Sequence, residues 1–302
     1  MFSCCNNIIK IDFSSFNSRS VTNMSYMFSS CQNIRSLDLT SLDTRNVTNM
    51  SHMFSYCISL MEIDLSTFFT SEVTKMNNMF YWCPNLRKIN VDNFDVSNVI
   101  EINDMFNSCE SLINLDLTSF VLKKAINASG MFRGCETLQS ITFFDFDGEN
   151  ITDMKEMFSG CSSLTILDLQ SFNTKNVTNM QNMFYACQNL RLINLINFNT
   201  SKVENMSGMF FACQNLKSLN LMSFYTKNVK DMSEMFSMCV SLEKLYIGFF
   251  DLTNTQNFIG LFKNCMNLDT IVASKETQVK IKDELDNRYA QPMLLEDGVY
   301  LI

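Results

Sequence analysis

The stretch NVTNMQNMFYACQNLRLINLINFNT at residues 176–200 decides the fold, because its pattern returns every 26 residues along the chain. The recurring motif is V-x-x-M-x-x-M-F-x-x-C-x-x-L-x-x-L-x-L-x-x-F, and it repeats without an insertion or deletion until about residue 273. One unit is too small to bury its own apolar residues, so neighbouring units must stack and share a core. The repeat therefore predicts a solenoid whose function lies on a repeated surface.

The first half of each unit has the apolar spacing of a short helix. Met180, Met183, Phe184 and Cys187 lie at i, i+3, i+4 and i+7, which is the spacing of one helix face. Asn179 precedes them at the position of a helix N-cap, where its side-chain oxygen can accept a bond from an unpaired backbone N–H. This half of the unit predicts a helical turn.

The second half of each unit changes to a period of two, which is typical of a strand. Ile193 and Leu195 point inward, and Leu192 and Asn194 point outward. Strands and short helices that alternate at this step predict an α/β solenoid of the leucine-rich-repeat-like kind. We expect about ten to eleven 26-residue rungs, with a parallel strand layer on the concave side and short helical turns on the convex side.

The repeat sets the expected domain boundaries. Residues 1–273 form the predicted solenoid, and the charged segment 274–302 is predicted to be a C-terminal cap or tail that shields the last rung. Met1 and Phe2 already occupy the Met-Phe columns, so the chain begins within a repeat. We interpret this start as a fragment of a longer protein or as an open end that meets another chain.

Composition excludes several function classes. A formal net charge of -8 over 302 residues, without a basic stripe, disfavours a nucleic-acid partner. No apolar run reaches the roughly 18 residues of a membrane span, and no signal peptide precedes the first repeat. The sequence contains no Gly-rich phosphate loop and no nucleophile-base pair. We therefore predict that the chain is not an enzyme and needs no cofactor.

Twelve cysteines raise the question of disulfides or a metal site. A step of 26 is not zinc-ligand spacing, His52 is the only histidine, and in-register side chains point the same way instead of facing each other. We predict no metal and a ladder of buried, reduced thiols that starts at Cys5, with Cys4 as an exposed thiol outside it. The remaining ladder positions are Cys31, Cys57, Cys83, Cys109, Cys135, Cys161, Cys187, Cys213, Cys239 and Cys265.

The L-x-x-L-x-L strands that follow an F-x-x-C step resemble those of the leucine-rich-repeat family. More narrowly, the units at residues 46–70 and 176–200 resemble the 26-residue repeats of BspA-like surface proteins, also known as a mycoplasma-type repeat of unknown function. The resemblance implies a solenoid used for binding or adhesion on the surface of bacteria or protists, and it implies no catalytic residues. It also implies a cell-surface or secreted location.

The outward strand columns give a candidate binding site. In the first five rungs these columns, which begin with Ser36, Asp38 and Thr40, are mainly polar. From the sixth rung they include apolar side chains, namely Phe144, Ile166, Leu192, Ile196, Met222 and Tyr246. We predict one contiguous concave patch that binds a protein or peptide, with Ile166, Leu192 and Tyr246 as anchors.

Three alternatives to this patch stay open at the sequence level. The C-terminal segment could fold back and cover the apolar side chains, or the residues could be scattered and without function. The chain could instead be a structural protein that self-associates end to end into filaments, which the apparently uncapped start at Met1 favours.

Overall fold

The computed structural model describes residues 2–286 and the short strand 294–297. The chain divides into two compact units, unit 1 at Met1–Ile151 and unit 2 at Thr152–Ile302. Each unit is a parallel β-solenoid whose rungs follow the 26-residue step, as the repeat predicts. Met1 lies outside the described residues.

The strands are short and lie at the predicted positions from Glu62 onward. Unit 1 contains β1 (Glu62–Asp64), β2 (Lys88–Asn90), β3 (Asn114–Leu117) and β4 (Ser140–Phe143). Unit 2 contains β5 (Ile166–Asp168), β6 (Leu192–Asn194), β7 (Ser218–Asn220), β8 (Lys244–Tyr246), β9 (Thr270–Ala273), helix α1 (Lys275–Asp286) and β10 (Leu294–Asp297).

Strand pairing is parallel and in register with the repeat. Ile63 of β1 pairs with Ile89 of β2, and Leu167 of β5 pairs with Ile193 of β6, so each residue meets its counterpart one rung later. The middle residue of β1 is buried while its two neighbours are exposed. The alternation confirms the inward and outward columns that the period of two predicts.

The short helices expected between the strands are instead consecutive turns. In the unit at residues 176–200 the Met183 N–H donates to the Met180 carbonyl oxygen (3.3 Å), whereas the Phe184 N–H donates to the carbonyl of Met209 in the next rung (2.9 Å). Asn182 and Ala186 have φ of 55° and 56°, the left-handed region that a right-handed helix excludes. Helical spacing and this turn series bury the same side chains, so the apolar pattern alone does not distinguish them.

The asparagine predicted as an N-cap makes the predicted kind of bond, but it opens a turn series. Asn179 Oδ1 accepts a bond from the Gln181 N–H (3.1 Å), and Asn205 Oδ1 accepts one from the Ser207 N–H (2.9 Å). The two asparagines also form a parallel bridge with each other. This column therefore joins neighbouring rungs as well as closing a local turn.

Stacked aromatic rings fill the core of each unit. Phe54 stacks on Phe80 in unit 1 and Phe184 stacks on Phe210 in unit 2, each with ring centroids 5.3 Å apart. These rings have no exposed surface. Unit 1 and unit 2 thus share one core chemistry, set by the repeated Phe column.

A ladder of buried threonines, which the sequence analysis did not single out, joins the rungs beside this core. Thr200 Oγ1 donates to the Tyr225 carbonyl oxygen (3.0 Å) and accepts from the Tyr225 N–H (2.8 Å). Thr70 makes the same two bonds to Asp95 in unit 1. Each hydroxyl satisfies two backbone groups that would otherwise be unpaired inside the protein. In the sequence, this ladder is marked by the recurring motif F-x-T, as in residues 68–70 and 198–200.

The segment after β9 packs on the last rung of unit 2. Thr277 Oγ1 in α1 donates to the Phe250 carbonyl oxygen (2.6 Å), and Lys280 Nζ donates to that of Leu252 (2.9 Å). Ile281 of the same helix is fully buried, and β10 pairs in parallel with β9. The division of the chain at residue 273 stays a prediction, and residues 287–293 and 298–302 of the expected cap lie outside the described part.

The first two rungs differ from the expectation. Within the described residues no strand precedes β1, so nine strands follow the 26-residue step instead of ten to eleven rungs each carrying one. The backbone near Ser36 and Asp38 is linked to the next rung by the bond from the Met61 N–H to the Arg35 carbonyl oxygen (2.9 Å). The turn ladder nevertheless starts with Phe2, whose N–H donates to the Met27 carbonyl oxygen (2.9 Å).

Candidate binding surfaces

The strand face of unit 2 carries exposed apolar side chains that lie next to each other. Ile166 and Leu192 are register partners on β5 and β6, and they are 61% and 60% exposed. Ile196 follows β6 and is 70% exposed, with its N–H bonded to Asn194 Oδ1 (3.3 Å). Cross-strand neighbours have Cβ atoms within about 5.5 Å, so Ile166 and Leu192 form one continuous apolar surface.

The other predicted patch residues are placed differently. Tyr246 is half-buried in β8 between Asn220 and Val272, and Met222 is half-buried with its Sδ bonded to the Gly248 N–H (3.3 Å). Phe144 is exposed but belongs to unit 1, where it follows β4. The described bonds of α1 reach the Phe250, Leu252 and Gly260 backbone, not β5 or β6.

The strand face of unit 1 is polar apart from Phe144. Glu62 and Lys88 are register partners on β1 and β2, and together with Ser36 and Asp64 they line a shallow groove. In β3 and β4 the Ser140 hydroxyl donates to Asn114 Oδ1 (2.6 Å). Across these strands, side chains of opposite charge face each other and polar groups are hydrogen-bonded to each other. The polar groups are thus matched within the face, and these strands leave little apolar surface for a partner.

The outward aspartates of the strands accept hydrogen bonds from the backbone. Asp64 Oδ1 accepts a bond from the Ser66 N–H (2.9 Å), and Asp116 and Asp168 make the same bond two residues on. The bond from Ser66 holds the pKa of Asp64 below its ordinary value. Among the residues that the structure describes, no group of three or more His, Cys, Asp or Glu side chains is arranged to hold a metal ion.

The cysteine column is buried from Cys31 onward, and its thiols bond to the neighbouring rung. Cys187 Sγ donates to the Phe158 carbonyl oxygen (3.1 Å). Burial raises the pKa of Cys57 and Cys187 to about 12, so both remain protonated thiols at neutral pH. Cys5 is only half-buried, which corrects the expectation that the buried ladder begins there.

The turn face of unit 1 carries a second exposed surface, which the sequence analysis missed. We call it the aromatic cluster, and its members are Tyr26, His52, Tyr56, Tyr81 and Trp82. The ring of Tyr26 stacks on His52 with centroids 4.5 Å apart, Tyr81 lies 5.4 Å from Tyr56 edge to face, and Trp82 lies 6.5 Å from Tyr81. Tyr56 and Trp82 are each 44% exposed.

Four of the five cluster members adopt a backbone conformation that favours glycine. The φ angles are 56° for Tyr26 and His52, 60° for Tyr56 and 58° for Trp82. The next two rungs hold Ser108 and Gly134 in the column of Tyr56 and Trp82. Large side chains in the left-handed region cost roughly 1–2 kcal/mol each, so their presence where small residues suffice is a signal of function. The aromatic interruption of a small-residue column was visible in the sequence.

Comparison with known families shows that the 26-residue repeat belongs to a described protein family. The family model described as "Mycoplasma protein of unknown function, DUF285" matches residues 1–114, 58–165, 113–193 and 188–285. The chain belongs to this family. The match confirms the resemblance drawn from the 26-residue motif, and among proteins with curated descriptions none matches this member of the family.

Solved structures similar to this DUF285 family member include leucine-rich-repeat proteins of bacteria. A protein from Bacteroides ovatus ATCC 8483 is 16% identical, covering 98% of this chain and 85% of its own, with a TM-score of 0.38. One from Eubacterium ventriosum ATCC 27560 is 16% identical over 91% and 81%, with a TM-score of 0.45. A leucine-rich cell surface protein from Faecalibacterium prausnitzii A2-165 is 15% identical over 84% of both chains, with a TM-score of 0.33.

In the described part of the family member, no helix has the length and apolar character needed to cross a membrane.

Proposed function

We propose that the protein is a non-enzymatic interaction scaffold that binds a protein or peptide partner through the strand face of unit 2. The observation that carries this proposal is the register pair Ile166 and Leu192, both more than half exposed, with the exposed Ile196 four residues after Leu192. Burying a fully exposed Leu or Ile side chain stabilises a complex by about 1.5–3 kcal/mol. These three partly exposed residues therefore offer about 3–5 kcal/mol before the cost of association.

The BspA-like resemblance supports adhesion at a cell surface as the setting for this scaffold. A surface protein meets partners in solution, so a face of exposed side chains on a rigid ladder is suited to that role. Ile166 and Leu192 are held by paired strands, and little conformational freedom is lost when a partner binds them. The adhesive role and the location are parts of this proposal.

The test begins with a peptide ligand, because the natural partner is unidentified. A random peptide library displayed on phage is selected on the immobilised chain, and fluorescence anisotropy gives Kd for the enriched peptides. The variant Ile166→Ser/Leu192→Ser makes this column equal to Ser140 and Ser218 in neighbouring rungs. We expect at least a roughly tenfold increase in Kd with a Tm within about 2 °C of the wild type.

A matched control distinguishes binding at this face from nonspecific binding to any exposed apolar side chain. Ile259 is exposed on the turn side of unit 2, outside the strand face, so Ile259→Ser removes a comparable apolar side chain. We expect its Kd to equal that of the wild type. An unchanged Kd in the folded double variant, or an equal loss in Ile259→Ser, would contradict the proposed face.

End-to-end self-association into filaments is the alternative to this scaffold. At one edge of unit 2, β9 is already paired with β10, and α1 bonds to the Phe250 and Leu252 carbonyls. Stacking of another chain on this edge would have to displace both segments. Negative-stain electron microscopy of the purified chain distinguishes the two: single particles favour the scaffold, and filaments favour self-assembly.

A further inference from the structure

The rings of the aromatic cluster lie close to a carboxylate. Tyr81 packs edge to face on Tyr56 with ring centroids 5.4 Å apart, and the charge of Asp104 acts on the pKa of both Tyr81 and His52. Asp104 lies two rungs after His52 in the same turn column. The cluster therefore combines exposed ring surface with a carboxylate in one place.

The local charge around the cluster is balanced. Burial raises the pKa of Tyr81; the charge of Asp104 raises it further and that of Arg133 lowers it, so charges of both signs lie near that ring. Burial lowers the pKa of His52, which keeps this imidazole neutral at pH 7. Two amides, from Asn103 and Asn107, donate to the two oxygens of Asp104 (3.0 and 2.8 Å). A balanced site of this kind favours a neutral ligand over an anion or a cation.

The hydrogen-bonding groups narrow the class of ligand further. A carboxylate has about four lone-pair positions, so Asp104 can accept bonds beyond those from the two amides. A proline-rich peptide would stack on the rings but has few N–H groups to donate to such an acceptor. A sugar ring offers an apolar C–H face for stacking and several hydroxyl donors at its edge.

We propose that the aromatic cluster on the turn face of unit 1 binds a neutral glycan, with sugar rings stacked on Tyr56 and Trp82 and hydroxyls bonded to Asp104. The site is distinct from the strand face of unit 2 in position and in chemistry. Tyr56 and Trp82 keep a left-handed backbone at positions that the next two rungs fill with Ser108 and Gly134, which fits selection for the rings themselves.

Trp82 provides a direct reporter, because it is the only tryptophan in the chain. The probes are neutral hexasaccharides of glucose, mannose, xylose and N-acetylglucosamine, added separately to the full chain. We expect at least one of them to change the emission of Trp82 saturably. If none of these sugars changes it, or if only a decaproline control peptide does, the glycan assignment is overturned.

Variants that keep the reporter locate the site. Tyr56→Ser copies Ser30 and Ser108 in the same column, and we expect its Kd for the sugar to rise about tenfold, as loss of one stacking ring does elsewhere. Tyr26→Ser is a second variant at the far edge of the cluster and should weaken binding less. Tyr185→Ser removes a partly exposed ring of the turn face in unit 2, where Tyr185 stacks on Phe211 at 4.6 Å, and should leave Kd unchanged.

The pattern across these variants decides the outcome. Weakened binding in Tyr56→Ser with an unchanged far-UV spectrum supports the site. Wild-type binding in both folded cluster variants, or an equal loss in Tyr185→Ser, overturns it.

Discussion

The two units share a core but differ on their turn faces. The column that holds Tyr56 and Trp82 in unit 1 holds Ala186 and Ala212 in unit 2, and all four residues have positive φ. The backbone of the turn series is therefore the same whether the side chain is small or large. Because the turn is built from rung-to-rung bonds, the outward side chain is free to change without altering the fold.

On the strand faces, it is unit 2 that carries the apolar register pair. On two adjacent strands, unit 1 presents the charged register pair Glu62 and Lys88. At the equivalent positions, unit 2 presents the apolar register pair Ile166 and Leu192. The exposed apolar strand pair thus belongs to unit 2, and the aromatic cluster of the turn face belongs to unit 1. The inward columns that build the core are therefore alike in the two units, while the outward columns, where we propose recognition, differ.

The largest expected effect tests whether the two cores are equivalent. Phe54→Ala in unit 1 and Phe184→Ala in unit 2 each remove a fully buried ring that stacks on its neighbour at 5.3 Å. We expect each to lower the free energy of unfolding by about 3–5 kcal/mol. Urea denaturation measures this change. A cost in one unit more than about twice that in the other would show that the cores are not equivalent.

The next effect concerns the threonine ladder, which also runs through both units. Thr70→Val and Thr200→Val keep the side-chain shape but leave one backbone N–H and one carbonyl unpaired inside the protein. We expect each to cost about 1–3 kcal/mol in urea denaturation. Thr22→Val, at an exposed position, is the control and should change stability by less than about 0.5 kcal/mol. Equal stability of all three variants would rule out a structural role for the ladder.

The buried thiols predict a loss of stability at alkaline pH. The folded pKa of Cys57 and Cys187 is raised to about 12, so the folded state keeps protons that the unfolded state loses above about pH 9. Stability is therefore fully present below about pH 9 and decreases as pH rises toward 12, by about 1.4 kcal/mol for each such thiol at pH 10.

Urea midpoints of the wild type and of Cys187→Ala at pH 7 and pH 10 measure this contribution. The variant should lose less stability than the wild type between the two pH values, because it has one thiol fewer to ionise on unfolding. A pH dependence that is the same in both would show that Cys187 is not protonated by burial.

The sequence predicts the rung step, the inward columns and the strand register because each depends on repeated contacts between identical positions. Ile193 and Leu195 show the predicted inward orientation, for example, since a one-residue shift would expose both. The turn series around Asn182 was not predictable in the same way. Its left-handed residues include Asn, Ala, Ser, Glu, Tyr, Trp and Gly in different rungs, so no single residue type marks the conformation.

The candidate site was predictable only in part. Ile166 and Leu192 were found because apolar residues interrupt a polar column, and their exposure follows directly from the strand period. Tyr246 and Met222 are half-buried because of contacts near the end of unit 2. The period of two along a strand does not predict such contacts. The aromatic cluster was missed because its column was assigned to a helix, where Tyr56 and Trp82 would have had other neighbours.

The smallest expected effects on stability give the sharpest test of the comparison between the units. Leu192→Ser in unit 2 and Trp82→Gly in unit 1 each replace an outward residue by a type found in the same column, at Ser218 one rung later and at Gly134 two rungs later. For Leu192 the lost cross-strand contact is worth about 0.2–1 kcal/mol. For Trp82 the lost packing is offset by removal of the left-handed strain, so the net change in stability should be small.

The two variants should dissociate the two binding activities. Isothermal titration calorimetry with a selected peptide and with the sugar that binds should show that Leu192→Ser loses only the peptide and Trp82→Gly loses only the sugar. Both ligands would be lost together if the surfaces formed one site, and the separation of recognition between the units would then be wrong. Retention of both ligands by both folded variants would place recognition on columns other than these two, because neither substitution alters the inward core that holds the remaining surface in place.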